Sequence, residues 1–128
     1  MTSPAVDLTR TLVRFDTINP PGREAEAAAR VSAELEAAGF AVSTVPLAEG
    51  RPNLVARIGG SDAKPPLAFT GHLDTVPLGL APWTVPPHGG DIRDGRIWGR
   101  GTSDMKSGVA AFVAAAVELA PRLAGTPG

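Results

Sequence analysis

The chain has 128 residues, 43% of them hydrophobic and 20% charged, the composition of a single soluble globular domain, which excludes a disordered tail and a membrane-embedded chain. Twelve basic against thirteen acidic side chains leave a formal net charge of −1, with no block of like charge to attract a nucleic-acid backbone or an anionic lipid surface. Cysteine is absent, so neither a disulfide framework nor a thiolate zinc site is available, and any metal must be held by imidazole and carboxylate.

The start, Met1-Thr2-Ser3-Pro4, lacks the basic residues and apolar run of a signal peptide, and the longest apolar stretch, Val109 to Leu119, is interrupted by Glu118 and too short to span a bilayer. A cytoplasmic location is the default expectation. Ser3 before Pro4 is a helix start, since serine caps free N–H groups and proline suits the first turn. Leu8, Leu12 and Phe15 supply the apolar stripe of that helix. Asn19-Pro20-Pro21-Gly22 breaks it, and a second helix is predicted over Glu24 to Ala38, with Ala28, Val31 and Leu35 on one face and Gly39 as its stop. Glu24, Glu26, Glu34 and Glu36 read as a solvated helix face.

Short β-type runs follow at Ala41 to Leu47, Asn53 to Ile58 and Pro66 to Thr70, separated by Gly and Pro. The last of these, through Leu67-Ala68-Phe69, reads as buried on both faces. Asp91 to Trp98 is expected to form a hairpin around Asp94-Gly95, a pair favoured in two-residue turns. From about Ser107, the spacing of Val109, Phe112, Val113, Ala116, Val117 and Ala120 predicts a helix packed on a sheet and ended by Pro121. Ala124 to Gly128 reads as a loop. The class expected from these elements is α/β, a mixed sheet flanked by helices.

Two segments carry candidate chemistry. Gly71-His72-Leu73-Asp74-Thr75-Val76-Pro77 follows the third strand directly, where open α/β sheets place their ligands. If that strand continues through Asp74, His72 and Asp74 share a face, and the carboxylate can orient the imidazole and make it a better zinc ligand. A hydrogen-bonded loop histidine is the plain alternative. The second segment, Trp98-Gly99-Arg100-Gly101-Thr102-Ser103-Asp104-Met105-Lys106-Ser107-Gly108, turns tightly into the last helix, and Asp104 there can be either a helix cap or a ligand. A phosphate loop is excluded, because its two glycines would fall on Arg100 and Met105 and Asp104 would put negative charge into the phosphate cradle. His88, in Pro86-Pro87-His88-Gly89-Gly90, reads as a solvent-exposed loop residue. Trp83 and Trp98 can line a substrate pocket or simply pack.

Asn19-Pro20-Pro21-Gly22, Asn53-Leu54-Val55-Ala56, Gly71 to Pro77, Asp94-Gly95 and Trp98 to Gly108, in this order, resemble the zinc hydrolase family that contains acetylornithine deacetylase, succinyl-diaminopimelate desuccinylase, aminoacylase and the glutamate-releasing carboxypeptidases. Ser107 departs from the resemblance, standing where many relatives have glycine. The resemblance implies that His72 binds one zinc, that Asp104 bridges two, and that Asp74 is a catalytic-site residue holding the imidazole of His72; imidazole suits zinc at ~2.0–2.1 Å and one carboxylate can span ions ~3.5–4 Å apart. Cobalt or manganese can replace zinc in such mixed N/O sites. No separate organic cofactor is implied, and the substrate would be a small N-acyl amino acid or peptide.

By the same resemblance, residues 1–128 are the N-terminal portion of a three-layer catalytic domain. The catalytic glutamate, further ligands, the inserted domain that serves dimerisation and the C-terminal part of the catalytic domain would lie elsewhere, with a homodimer allowed for the complete protein. The expected activity is metal-dependent amide hydrolysis, absent from this fragment because Glu118 is its one acidic residue after Asp104. The alternative reading is a non-catalytic binding or complementing module that keeps the fold.

Overall fold

A computed structural model describes residues 2–61, 63–123 and 125–128. Met1, in the segment read against a signal peptide, and Ala124, the first residue of the expected terminal loop, lie outside the described residues. Helix α1 spans Pro4–Val13: the Ser3 hydroxyl accepts the Val6 N–H at 3.4 Å, and Pro4 occupies the first turn. Helix α2 spans Ala25–Ala37, buries Ala27, Ala28, Val31 and Leu35, and is followed by Gly39 at φ +90°, the left-handed position that glycine takes after a helix at no steric cost.

Strands β1 (Ala41–Ala48) and β2 (Arg51–Arg57) pair antiparallel, with Val42 opposite Ala56 and Thr44 opposite Leu54. Successive side chains alternate faces, so Val42, Leu54 and Ala56 pack on the core while Val45 and Val55 are exposed. Strands β3 (Asp91–Arg93) and β4 (Arg96–Trp98) form the expected small hairpin. Its turn residues Asp94 and Gly95 have φ of 52° and 71°, the conformation that matches the twist of a tight hairpin.

A wide turn at Thr102–Lys106 leads into helix α3, Ser107–Leu123. The class is α/β, and the core is built by Leu8 and Leu12 of α1, Ala27, Val31 and Leu35 of α2, and Val109, Ala110 and Val113 of α3. The apolar face of α3 therefore packs chiefly on two helices, not on the sheet expected from its spacing. Pro121 lies inside α3 and does not end it; it has no N–H for the carbonyl four residues back, and the helix runs only two residues further, to Leu123. Among the described residues, no helix is long and apolar enough to cross a membrane.

The third expected strand is not formed. Pro66 to Thr70 has no strand pairing, and Leu67 is 84% and Phe69 62% exposed. A strand buried on both faces needs a covering layer on each side and ladder partners for its N–H and C=O groups. Here one contact is made by Phe69, stacked on Phe112 of α3 with ring centroids 5.7 Å apart. Sheet pairing among the described residues comprises the two hairpins, with parallel contacts limited to the bridges Ile18–Thr75 and Ser61–Pro127.

Lys106 fastens the entry of α3 to the end of α1. Its side chain is fully buried and Nζ donates to the Phe15 carbonyl at 2.8 Å. Burial lowers its pKa from 10.5 to about 8, against the opposing field of Asp16. Lys106→Ala removes the buried stem as well as the hydrogen bond and is expected to cost about 2–4 kcal/mol. Lys106→Met keeps the stem's volume and is expected to cost less, an order that urea unfolding of the two variants checks.

Candidate metal centre

The loop after Thr70 takes its shape from the segment that follows α1. The Thr75 N–H donates to the Thr17 carbonyl at 3.0 Å, the Asn19 N–H donates to the Thr75 carbonyl at 2.8 Å, and the Thr17 hydroxyl donates to the Leu73 carbonyl at 2.6 Å. Asn19-Pro20-Pro21-Gly22 does not end α1, which stops at Val13; its first residue instead joins Thr17 in holding residues 73–75. From the other side, Gly101 (φ +84°) brings the turn before α3 against Thr75; a Cβ at Gly101 would stand 2.7 Å from Thr75 Cγ2. Only a residue without a side chain permits that approach.

These two approaches bring His72, Asp74 and Asp104 together. His72 Nδ1 lies 3.0 Å from Asp74 Oδ1 and 3.1 Å from the Asp74 backbone carbonyl, and His72 Nε2 lies 3.0 Å from Asp104 Oδ1. The pairing of His72 with Asp74 expected from a continuing strand is present, but a loop makes it. Asp104 does not behave as a helix cap. Its backbone is extended (φ −130°, ψ 99°), its carboxylate is 80% exposed, and it meets the imidazole rather than an amide of α3.

Asp74 is held on its far side as well. Asn19 Nδ2 donates to Asp74 Oδ2 at 2.9 Å, and Arg51 Nη2 lies 3.5 Å from the same oxygen. The Asn19 hydrogen bond lowers the Asp74 pKa against the effect of burial, with help from His72 and Arg51. For His72, burial opposes charge, yet the hydrogen bonds to the Asp74 carbonyl and the Asp104 carboxylate and the fields of both acids raise its pKa above 6.5. Both acceptors at Nδ1 require a proton there. Nε2 facing a carboxylate requires a second positive partner, either a proton or a cation.

Asn19, His72, Asp74, Thr75, Val76 and Asp104 line a cleft of about 110 Å³. Two donor atoms 3.0 Å apart are within reach of one ion bonded to each at ~2.0–2.2 Å, so the imidazole and carboxylate fit one side of a metal site. Among the described residues, no group of three or more His, Cys, Asp or Glu side chains could hold a metal. The described residues therefore offer two donors here, His72 and Asp104, and leave the remainder of a coordination sphere open.

Two expectations change, for Glu24 and His88, and one alternative, for Trp83 and Trp98, is decided in favour of packing. Glu24 is not on a solvated helix face: it precedes α2, is 6% exposed, and pairs with Arg51. His88 is half-buried rather than solvent-exposed, with Nε2 3.9 Å from Asp16 Oδ1, because the 86–90 loop folds back over Arg10 and Arg14, which donate to Gly90 and Gly89. Trp83 and Trp98 do not line the cleft. The Trp83 ring packs under the Arg100 guanidinium at 5.2 Å, and Trp98 Nε1 donates to the Arg93 carbonyl at 3.4 Å. Asn19 and Arg51 went unrecognised as site residues. The polar residue opening Asn-Pro-Pro-Gly was a usable signal, whereas nothing in the local pattern marked Arg51.

Residues 68–128 match the family described as peptidase family M20/M25/M40. That segment is similar to part of the domain this family shares. The M20 resemblance extends beyond it: the chain is 49% identical over 115 residues to succinyl-diaminopimelate desuccinylase of Cereibacter sphaeroides, covering 89% of this chain and 30% of the relative. It is 46% identical over 115 residues to the protein of that name from Rhodospirillum centenum, covering 86% and 29%, and 46% identical over 121 residues to that of Ruegeria pomeroyi, covering 93% and 31%. The chain spans about 30% of the length of these curated relatives.

Ahead of the matched segment, the site depends on a close approach at Gly22, whose φ is +80° and whose added Cβ would fall 2.5 Å from Arg51 Nε. Gly22→Ala is expected to destabilise the chain by about 1–3 kcal/mol through the left-handed backbone and the displaced guanidinium. Chemical unfolding measures it, and an unchanged midpoint would contradict the close approach.

Proposed function

We propose that this chain is the N-terminal portion of the catalytic domain of a zinc-dependent hydrolase that cleaves the amide bond of N-acyl amino acids, with an N-succinyl amino acid as the substrate class. The observation that carries the proposal is the placement of His72 Nε2 and Asp104 Oδ1 3.0 Å apart while Nδ1 is held by Asp74. The substrate class rests on the relatives' names, which are those of desuccinylases.

His72 and Asp104 are the metal ligands in this reading. Asp74 accepts a hydrogen bond from His72 Nδ1–H, fixing the ring so that its Nε2 lone pair would be available to an ion, the arrangement that makes histidine a more basic ligand. Asp104, 80% exposed, keeps a carboxylate oxygen for a second ion. Zinc in such a site supplies a Lewis acid for the amide carbonyl and a water of lowered pKa. A general base would be needed for that water's proton, and among the described residues none stands beside the cleft in that role: after Asp104 the one acidic residue is Glu118, exposed on α3. The chain by itself is then a half-site, and residues outside it complete the reaction.

Weak zinc binding by the purified chain, followed by the NMR shifts of the His72 ring and of its neighbours in the cleft as zinc is titrated in, tests the ligand assignment. Wild type is expected to bind zinc, and His72→Ala and Asp104→Ala are each expected to weaken binding by at least about tenfold. Zinc binding that neither substitution changes would remove these two residues as ligands. With zinc added, the 128-residue chain is expected to release no succinate from N-succinyl-diaminopimelate; turnover would show that the base lies within it.

A further inference from the structure

Arg51 serves two carboxylates at once. Its Nε lies 3.1 and 3.3 Å from the two Glu24 oxygens and its Nη2 lies 3.0 Å from Glu24 Oε1, while the same Nη2 lies 3.5 Å from Asp74 Oδ2. Glu24 is 6% exposed, and this guanidinium is the cation paired with it in the interior. The backbone fixes the pair from both sides: the Ala25 N–H donates to the Gly50 carbonyl at 3.0 Å, tying the start of α2 to the β1–β2 turn, and Gly22 gives the guanidinium its room. A planar fork clamped by one carboxylate has little freedom left to reorient on the second.

The consequence falls on Asp74. Oδ2 is occupied by Asn19 and Arg51, which leaves Oδ1 to face His72 Nδ1 at 3.0 Å. The geometry points to Arg51 as a positioning residue of the metal site: held by Glu24, it fixes the Asp74 carboxylate, which holds the His72 proton on Nδ1 and keeps the lone pair on Nε2. Arg51 makes no contact with the ion or the substrate in this role. The inference rests on the metal-site reading above, but the ring tautomer tests it separately.

Removing Arg51 alone leaves Glu24 buried without a partner and can prevent folding. The test therefore uses the double variant Glu24→Gln/Arg51→Met, which removes both charges together, alongside Arg51→Lys, which keeps the charge but not the fork. Two quantities are read on the full chain: the nitrogen-15 shifts of the His72 ring without metal, at a pH where the ring is neutral, and the weak zinc affinity from a direct zinc titration followed by NMR. Wild type is expected to hold its proton on Nδ1. The double variant is expected to show a mixture of tautomers and zinc affinity weaker by about 10–100-fold, with Arg51→Lys between the two. A folded double variant with the wild-type tautomer and wild-type zinc affinity overturns the inference. If the wild-type chain binds no zinc, the metal-site reading falls, and the tautomer alone decides whether Arg51 positions the ring.

Discussion

The Thr75 N–H donates to the Thr17 carbonyl at 3.0 Å and the Asn19 N–H returns to the Thr75 carbonyl at 2.8 Å, a short parallel pairing between two segments that are both irregular. This pairing places Asn19 within reach of Asp74 and sets the direction from which His72 leaves the loop. It depends in turn on the core, because residue 17 follows α1 and the turn carrying Asp104 leads into α3, and those helices share the cluster of Leu8, Leu12, Val109 and Val113. Lys106, bonded to the Phe15 carbonyl, fixes how far the second loop can move from the first. Helix packing thus sets the separation of the two loops, and the loops set the separation of imidazole and carboxylate.

Within that frame the electrostatics divide into a held side and an open side. Asp74 is 27% exposed and receives Asn19, Arg51 and His72, so both of its oxygens are engaged. Asp104 is 80% exposed and engages His72 alone among the described side chains. A carboxylate saturated by donors orients its neighbour, while one with free lone pairs can accept a cation. The two acids are therefore unequal despite contacting the same ring. The difference comes from their supports, Asn19 and Arg51 on one side and solvent on the other.

Local patterns carried much of this into the sequence. Ser3-Pro4, Gly39 and Asp94-Gly95 announce their caps and turn because one residue's hydrogen bond or φ decides each. The spacing in α2 and α3 identifies their buried faces, although what covers α3 was legible only from the tertiary arrangement, since a 3.6-residue stripe is the same against a helix as against a sheet. The third strand failed for a related reason: Leu67-Ala68-Phe69 has the composition of a buried strand, but strand formation requires a neighbouring ladder that composition does not report. His72, Asp74 and Asp104 could be singled out as residue types in turn-rich segments. The resemblance gave them roles, and their convergence depended on glycines at 22 and 101 whose function is to leave space.

Glu24 and Arg51 mark the limit of local reading most clearly. An acidic residue at the head of an amphipathic helix is ordinarily solvated, and an arginine at the start of a strand carries no pattern of its own. Their pairing joins elements separated by 27 positions and becomes meaningful only through Asp74, a third element further on. The matched family segment, residues 68–128, contains the imidazole and both acids that touch it, whereas Asn19, Glu24 and Arg51, which determine how one of those acids is oriented, all precede it. The donor atoms and the machinery that aims them thus belong to different stretches of the chain. A fragment containing only the matched stretch would keep the residue types of the site but lose the hydrogen bond and ion pair that distinguish Asp74 from Asp104.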